Sequence, residues 1–280
     1  MAENNDWTNR IKRFITSDSR TFYWLLVIFA SIPLIHPIGL PINISTQTQL
    51  TYDHINSLPE GSLVLFSPGI PVAYSEIYAS QLAVMKDLMR NNLKVVIFAS
   101  SADALITLNQ ILDGIDLKNK VYGVDYVNLG LIAGGESAIA ALATSFKETV
   151  VADINGTPSK DLDILKDITG AKNFSLIVHG DSGQYYMYFI RHWYKPFQVP
   201  QVLICTAAVA AAAQPYYNSK DIQFMVITQK GGAEYEKLIN EPASSLKLLD
   251  SLSISLIYVV GLIIAGNISR LIPKLRKGDV

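Results

Sequence analysis

The chain has a single cysteine, Cys205, in 280 residues. That excludes a disulfide scaffold and leaves no thiolate set for a structural zinc site. Charge is scarce as well. Only 17% of residues are charged, and 23 Lys+Arg against 24 Asp+Glu give a formal net charge of −1. A disordered chain would be polar and highly charged, and a nucleic-acid binder would carry a basic excess. Both classes are excluded, and no nucleic-acid partner is expected. The four histidines, His36, His54, His179 and His192, show no ligand spacing, so neither a metal nor another cofactor is expected. What the chain has in quantity is apolar surface: half of it is hydrophobic and its mean hydropathy is +0.26, high for a wholly soluble protein.

Two uncharged stretches concentrate that character. The first runs from Thr21 to Tyr52, with an apolar heart at Phe22–Leu34 and aromatics Phe22, Tyr23 and Trp24 at its start. A bilayer core needs about 20 apolar residues in helix, so the expected span, 21–44, must include Pro33 and Pro37. A cleaved signal peptide fits poorly, because the run leads into HPIGLPINIS rather than a small-residue cleavage site. The second stretch, 251–269, carries no charge and stops at Arg270. Arg10, Lys12, Arg13 and Arg20 precede the first span, and Arg270, Lys274, Arg276 and Lys277 follow the second. The positive-inside bias then places the tails 1–20 and 270–280 in the cytoplasm and residues 45–250 on the outer side of the cell membrane. The Gly261-x-x-x-Ala265 spacing is compatible with close helix packing.

Between the spans, continuous apolar runs alternate with segments of helical period. Strands are expected at Ser62–Ile70, Lys94–Ser100, Tyr122–Leu129, Phe174–His179, Val202–Thr206 and Ile222–Thr228. Helices are expected at Tyr74–Asn92, Asp103–Leu112, Glu136–Phe146, Asp161–Ile168, Gln184–Lys195 and Ala233–Asn240, with a linker over Glu241–Asp250. Apolar strands separated by helices predict a three-layer α/β domain with a mostly parallel sheet, Rossmann-like or flavodoxin-like.

In such sheets ligands sit outside the carboxyl ends of the strands, and three loops there carry candidate residues. Gly134, Gly135 and Glu136 join a strand to a helix, where glycines admit an anion to a helix N-terminus, although Glu136 would repel a phosphate. His179, Asp181 and Ser182 gather hydrolase residue types in one loop. Neighbours in sequence rarely converge in space, however, and Asp181 or Ser182 serves equally as a helix cap. Lys230, Gly231 and Gly232 offer a cation and close backbone approach, or simply a solvated turn. Cys205, inside a strand, reads as a small buried hydrophobe. The aromatic group from Tyr185 to Tyr194 divides between core and partner surface. Asn43, Asn155 and Asn173 each begin an acceptor pattern for glycosylation on the outer side.

The segments YGVDYVNLG, AGGES and GGAEYEKL between two terminal spans resemble an uncharacterised family of prokaryotic two-pass membrane-anchored α/β proteins. The resemblance implies no activity and no site residues. The expected function is therefore a non-enzymatic assembly or interaction subunit, partnered by the lipid bilayer and by copies of itself or other membrane-complex subunits. The alternative is a small-ligand-binding or hydrolytic domain using the strand ends. The small net charge is a cancellation: residues 45–250 hold 15 basic and 20 acidic groups, 15 − 20 = −5, and the flanks hold the remaining 8 and 4, giving +4.

Overall fold

Runs of Val, Ile, Leu and Phe with no polar alternation need cover on both faces, and the structure supplies it. The computed structural model describes residues 19–71 and 73–277, with side chains from residue 20 to residue 268 other than that of Ser75. The cations Arg10, Lys12, Arg13, Arg270, Lys274, Arg276 and Lys277 on which the topology expectation rests fall outside the described side chains. Six strands form one sheet: β1 (Leu63–Ser67), β2 (Lys94–Ala99), β3 (Tyr126–Leu131), β4 (Leu176–Asp181), β5 (Gln201–Cys205) and β6 (Phe224–Ile227). Their order is β3-β2-β1-β4-β5-β6 with every neighbouring pair parallel. This is the Rossmann order, not the flavodoxin one, and it reverses direction between β1 and β4.

The helices are α1 (Ser19–Ile35), α2 (Thr46–Ser57), α3 (Ser75–Arg90), α4 (Ala102–Asp113), α5 (Glu136–Thr144), α6 (Phe146–Thr149), α7 (Tyr185–Phe189), α8 (Lys195–Phe197), α9 (Ala207–Asn218), α10 (Thr228–Leu238) and α11 (Ser244–Lys277). A π turn, Ile190–Tyr194, joins α7 to α8. The chain divides into two compact units, one of them Ile42–Ser245 and the other formed by the residues before and after it.

In the first unit the sheet separates the core into layers. Val64 and Phe66 of β1 face Ile77, Val84 and Leu88 of α3 and Leu108 of α4. Leu65 and Ile177 point the other way, toward Ile139, Leu142, Phe189 and Trp193. A third cluster joins Leu203 and Cys205 to Val209 and Ala213 of α9. Each such side chain, fully withdrawn from water, contributes roughly 1.5–3 kcal/mol. Helix starts follow their caps: Ser101 Oγ accepts the Ala104 N–H at 3.1 Å, and Thr206 Oγ1 accepts that of Val209 at 3.4 Å.

Several boundaries differ from expectation for identifiable reasons. The third strand begins at Tyr126 rather than Tyr122, because Asp125 Oδ2 accepts the Val121 N–H at 2.7 Å and turns the chain there. The helix expected over Asp161–Ile168 is a pair of 3-10 turns. Helix α2 was not anticipated at all; its buried positions Thr48, Thr51 and Ile55 have helical spacing, but two of the three are polar.

The second unit contains α1 and α11. One helix among the described residues is long and apolar enough to cross a membrane, Ser244–Ile268, and its apolar window is only 6% buried. Helix α1 has 17 residues and ends at Ile35, not at residue 44, because the residue before a proline is pushed out of the α region and Pro37 follows His36. At about 25 Å it is at the short limit for a span. The two helices run antiparallel: Ser251 Oγ donates to the Ala30 carbonyl at 2.7 Å, and Tyr258 OH donates to that of Phe22 at 3.1 Å. The Asp250 carboxylate, fully buried, accepts the N–H groups of Ile38 and Gly39 at 2.8 Å each and of Leu40 at 3.2 Å. Gly39 sits at φ +71, which lets these successive amides converge on one anion.

Candidate functional site at the strand ends

The reversal of strand order between β1 and β4 defines the crevice where this fold places ligands. Here the chain's own backbone closes it. A Cβ on Gly69 would lie 2.6 Å from the Gly180 carbonyl oxygen, so the β1 loop rests directly on the end of β4. Ile70 is buried beside it, and its carbonyl accepts the Thr107 hydroxyl at 3.0 Å. On the α3 side the Gln81 amide lies against Gly180, where a Cβ would meet Oε1 at 2.5 Å. Gln81 is fully buried and neither amide atom has a hydrogen-bond partner; Ser100 Oγ is likewise unpartnered.

His179 and Asp181 share one face of β4, since side chains two residues apart point the same way, but they engage different groups. His179 Nε2 lies 3.0 Å from Gln201 Oε1, and its ring packs on Phe189 at 4.6 Å between centroids. Burial holds this imidazole down at about 4, only partly countered by Gln201. Asp181 accepts the N–H groups of Gly183 at 2.6 Å and Tyr186 at 2.7 Å, capping α7. Burial nevertheless pushes its carboxyl up to about 6. Ser182 is half-buried just beyond the strand. The three are therefore neighbours without a nucleophile–base hydrogen bond, and Asp181 acts on backbone amides. Cys205, paired in register with Asp181, is buried, and its thiol is pushed well above its ordinary range by that burial.

The AGGES segment does form the strand-to-helix turn that its glycines require, with Gly134 at φ +127 and Gly135, the α5 N-cap, at φ +55. Glu136 in the first turn is taken by Arg191 and by His192, whose Nε2 lies 2.9 Å from Oε1. These hydrogen bonds, His192 first, lower its pKa. Two consecutive residues reach one carboxylate from the π turn, so the group that would repel a bound anion is a tie between α5 and that turn.

Lys230, Gly231 and Gly232 lie inside α10, which starts at Thr228 rather than Ala233. Both glycines are buried. A Cβ on Gly232 would meet Ser80 Oγ at 2.4 Å and Ser245 Oγ at 2.6 Å, and one on Gly231 would meet Val226 Cγ1 at 2.9 Å. They permit close packing of α10 on α3 and β6. Lys230 Nζ is 3.5 Å from Glu234 Oε1. Glu234, almost fully buried, accepts Ser45 Oγ at 2.6 Å, and Glu236 accepts the N–H groups of Ala243 and Ser245 at 3.0 Å each. This helix thus holds the Ser45 side chain at one chain end of the domain and the backbone of Ala243 and Ser245 at the other. Thr228 itself sits at φ 57, an outlier for a β-branched residue, with its carbonyl accepting Ser80 Oγ at 3.0 Å.

Gln81 and Thr228 were not singled out from the sequence, whereas Ser100 lies in a strand-end loop that the fold rule nominates; polar residues in amphipathic or turn contexts carry no further signal until burial is known. His54 stacks on Phe224 at 4.3 Å, and burial lowers its pKa. No cluster of metal-ligating side chains occurs among the described residues. Three cavities lie away from the β1–β4 crevice: one of about 420 Å³ beside Val151 and Leu165, one of about 350 Å³ beside Leu131 and Ile132, and one of about 460 Å³ between Arg90 and Lys120.

No family model and no curated protein matches the sequence. Among solved structures, one described as "Structure of MT0777" aligns at 12% identity and a TM-score of 0.38, covering 65% of this chain and 99% of that one.

Proposed function

We propose that this protein is a membrane-anchored, non-enzymatic interaction subunit, held by α1 and α11 as two spans with both termini in the cytoplasm and the α/β unit outside. The observation that carries the reading is α11, whose apolar stretch is long enough to span a bilayer and is almost wholly unburied by its own chain. Two features support the rest. The Asp250 cradle clips the exit of α1 to the start of the α11 apolar run, as a two-span hairpin requires. The β1–β4 crevice is filled by backbone at Gly69 and Gly180, which favours binding through surfaces over chemistry at the strand ends. The charge balance, −5 for residues 45–250 against +4 for the flanks, agrees with the positive-inside bias.

Fractionation of the full-length protein tests the anchoring. It is expected in the membrane pellet after a high-salt wash, released only by detergent, and larger than a single chain in mild detergent. Recovery in the soluble fraction without detergent would overturn the reading. The second reading, a small polar ligand at the strand ends, draws on the unpartnered Gln81 amide. It predicts that Gln81→Leu abolishes a ligand-induced stabilisation without lowering stability by itself.

A further inference from the structure

Strand β3 is one edge of the sheet, and an open edge is a place where other chains pair. Residues 150–159 cover part of it. Ile154 N–H donates to the Asn128 carbonyl at 3.0 Å, and Ala152 forms an antiparallel bridge with Pro158. That segment leaves a groove on each of its sides. The cavity of about 420 Å³ has Val150, Val151, Pro158 and Leu165 along its floor and Lys147, Lys160 and Lys166 around it. The cavity of about 350 Å³ is lined by Leu129, Leu131, Ile132 and Ala133 together with the same Val150 and Val151. Val150 and Val151 line both cavities, and the larger of the two is the groove bordered by lysines. Around these cavities Val151 is 75% exposed, Leu131 45% and Ile154 46%, whereas Val150, Leu129 and Leu165 are buried beneath them. Contiguous apolar surface bordered by polar groups marks an interaction site.

Resting on the anchored-subunit reading, we propose that the lysine-bordered groove docks an extended acidic segment of a partner protein, its aliphatic side chains on Val151 and Pro158 and its carboxylates at Lys147 and Lys160. Charge selects this occupant. The domain carries an excess of acid, 15 − 20 = −5 over residues 45–250, yet three lysines line this groove, with the carboxylates of Asp163, Asp161 and Asp167 acting on Lys166. Lys166 is already paired with Asp163. Lys147 and Lys160 have no ion pair among the described residues. Apolar floor and unpaired cations together are complementary to an amphipathic anion. A second copy of this chain is the poorer fit, because a two-fold contact through the same patch would oppose these lysines to themselves. An extended segment suits a site beside a strand edge, along which an added chain can lie.

The test uses the full-length protein in detergent and a dye-labelled decapeptide alternating valine and aspartate. Peptides alternating serine with aspartate and valine with lysine are the controls. Saturable binding of the first alone is expected, weakened by salt and at least tenfold by the double variant Lys147→Glu/Lys160→Glu or by Val151→Asp. Far-ultraviolet circular dichroism and the unfolding midpoint of the lysine variant should match wild type, so that lost binding is not lost folding. Equal binding of all three peptides, or binding unchanged in the variants, would overturn the assignment. So would a fall in the protein's native size on Val151→Asp alone, which would give the groove to a second copy. Membrane fractionation of the same variants keeps the two claims apart. Variants that stay in the pellet while the peptide fails to bind reject the groove and leave the anchoring intact.

Discussion

At the scale of single residues, His179 and Asp181 carry opposed proton linkages within one buried strand. The folded state holds His179 at about 4, below the ordinary 6.5. Its stabilising contribution is complete above pH 6.5 and is lost as pH falls through 4. Asp181 sits at about 6, above the ordinary 3.8, so its contribution is complete below pH 3.8 and is lost as pH rises through 6. Each is worth on the order of 3 kcal/mol at full extent, and over pH 4–6 they oppose one another. Replacing His179 with Gln should therefore unmask the Asp181 dependence, with the unfolding midpoint falling relative to wild type as pH rises from 4 to 6. Asp181→Asn should do the reverse, its midpoint rising relative to wild type over pH 4–6. Parallel profiles for all three proteins would contradict the assigned burial. Gly232 gives a second residue-scale test. An open helical Gly→Ala change gains about 1 kcal/mol, whereas here the new methyl meets Ser80 Oγ and Ser245 Oγ. Gly232→Ala should cost roughly 1–3 kcal/mol, read as a lowered midpoint in denaturant. Ser80→Ala should recover part of that loss in the double variant, because it removes the nearer oxygen.

At the scale of elements, the strands were legible because buried parallel strands are unbroken apolar runs, and all six were anticipated within a few residues. The site was far less legible. GGAEYEKL reads as a loop before a helix because paired glycines normally break one, yet both are inside α10, where close contact with α3 and β6 demands the smallest residue. Its glutamates read as a solvated face, whereas Glu234 and Glu236 are buried and hold Ser45, Ala243 and Ser245. Their partners lie up to 189 positions away in the chain, and no local pattern encodes that. Helix α2 was invisible for a related reason, as Thr48 and Thr51 are buried polar residues. Thr51 Oγ1 donates back to the Gln47 carbonyl at 2.8 Å, so it enters the interior satisfied. Asp250, which ends the expected linker, is instead the acceptor for three amides of the Pro37–Pro41 turn. Asp250→Ala leaves three donors unmet at about 1–3 kcal/mol each where buried. It should lower the unfolding midpoint of the detergent-solubilised protein and speed proteolysis between residues 36 and 41. Asp250→Asn, keeping one acceptor oxygen, should lie between it and wild type.

At the scale of the whole molecule, the composition that first excluded scaffolds and nucleic-acid binders becomes a distribution: an acidic α/β unit between apolar helices with basic ends. The Rossmann order sets a ligand crevice between β1 and β4, and this chain fills it with its own backbone while leaving apolar surface along β3. On the proposed reading that combination directs function outward, to partners, and the side of the membrane on which the unit lies becomes its most direct test. The native Cys205 is buried with a disfavoured thiolate and should give little background in labelling; replacing it with Ala removes what remains. In that background, single cysteines at exposed Asn155 and at Asn5 are probed on intact cells with a membrane-impermeant maleimide. The account predicts labelling at position 155 from outside and at position 5 only after permeabilisation. Position 155 protected in intact cells, or position 5 labelled from outside, would contradict it.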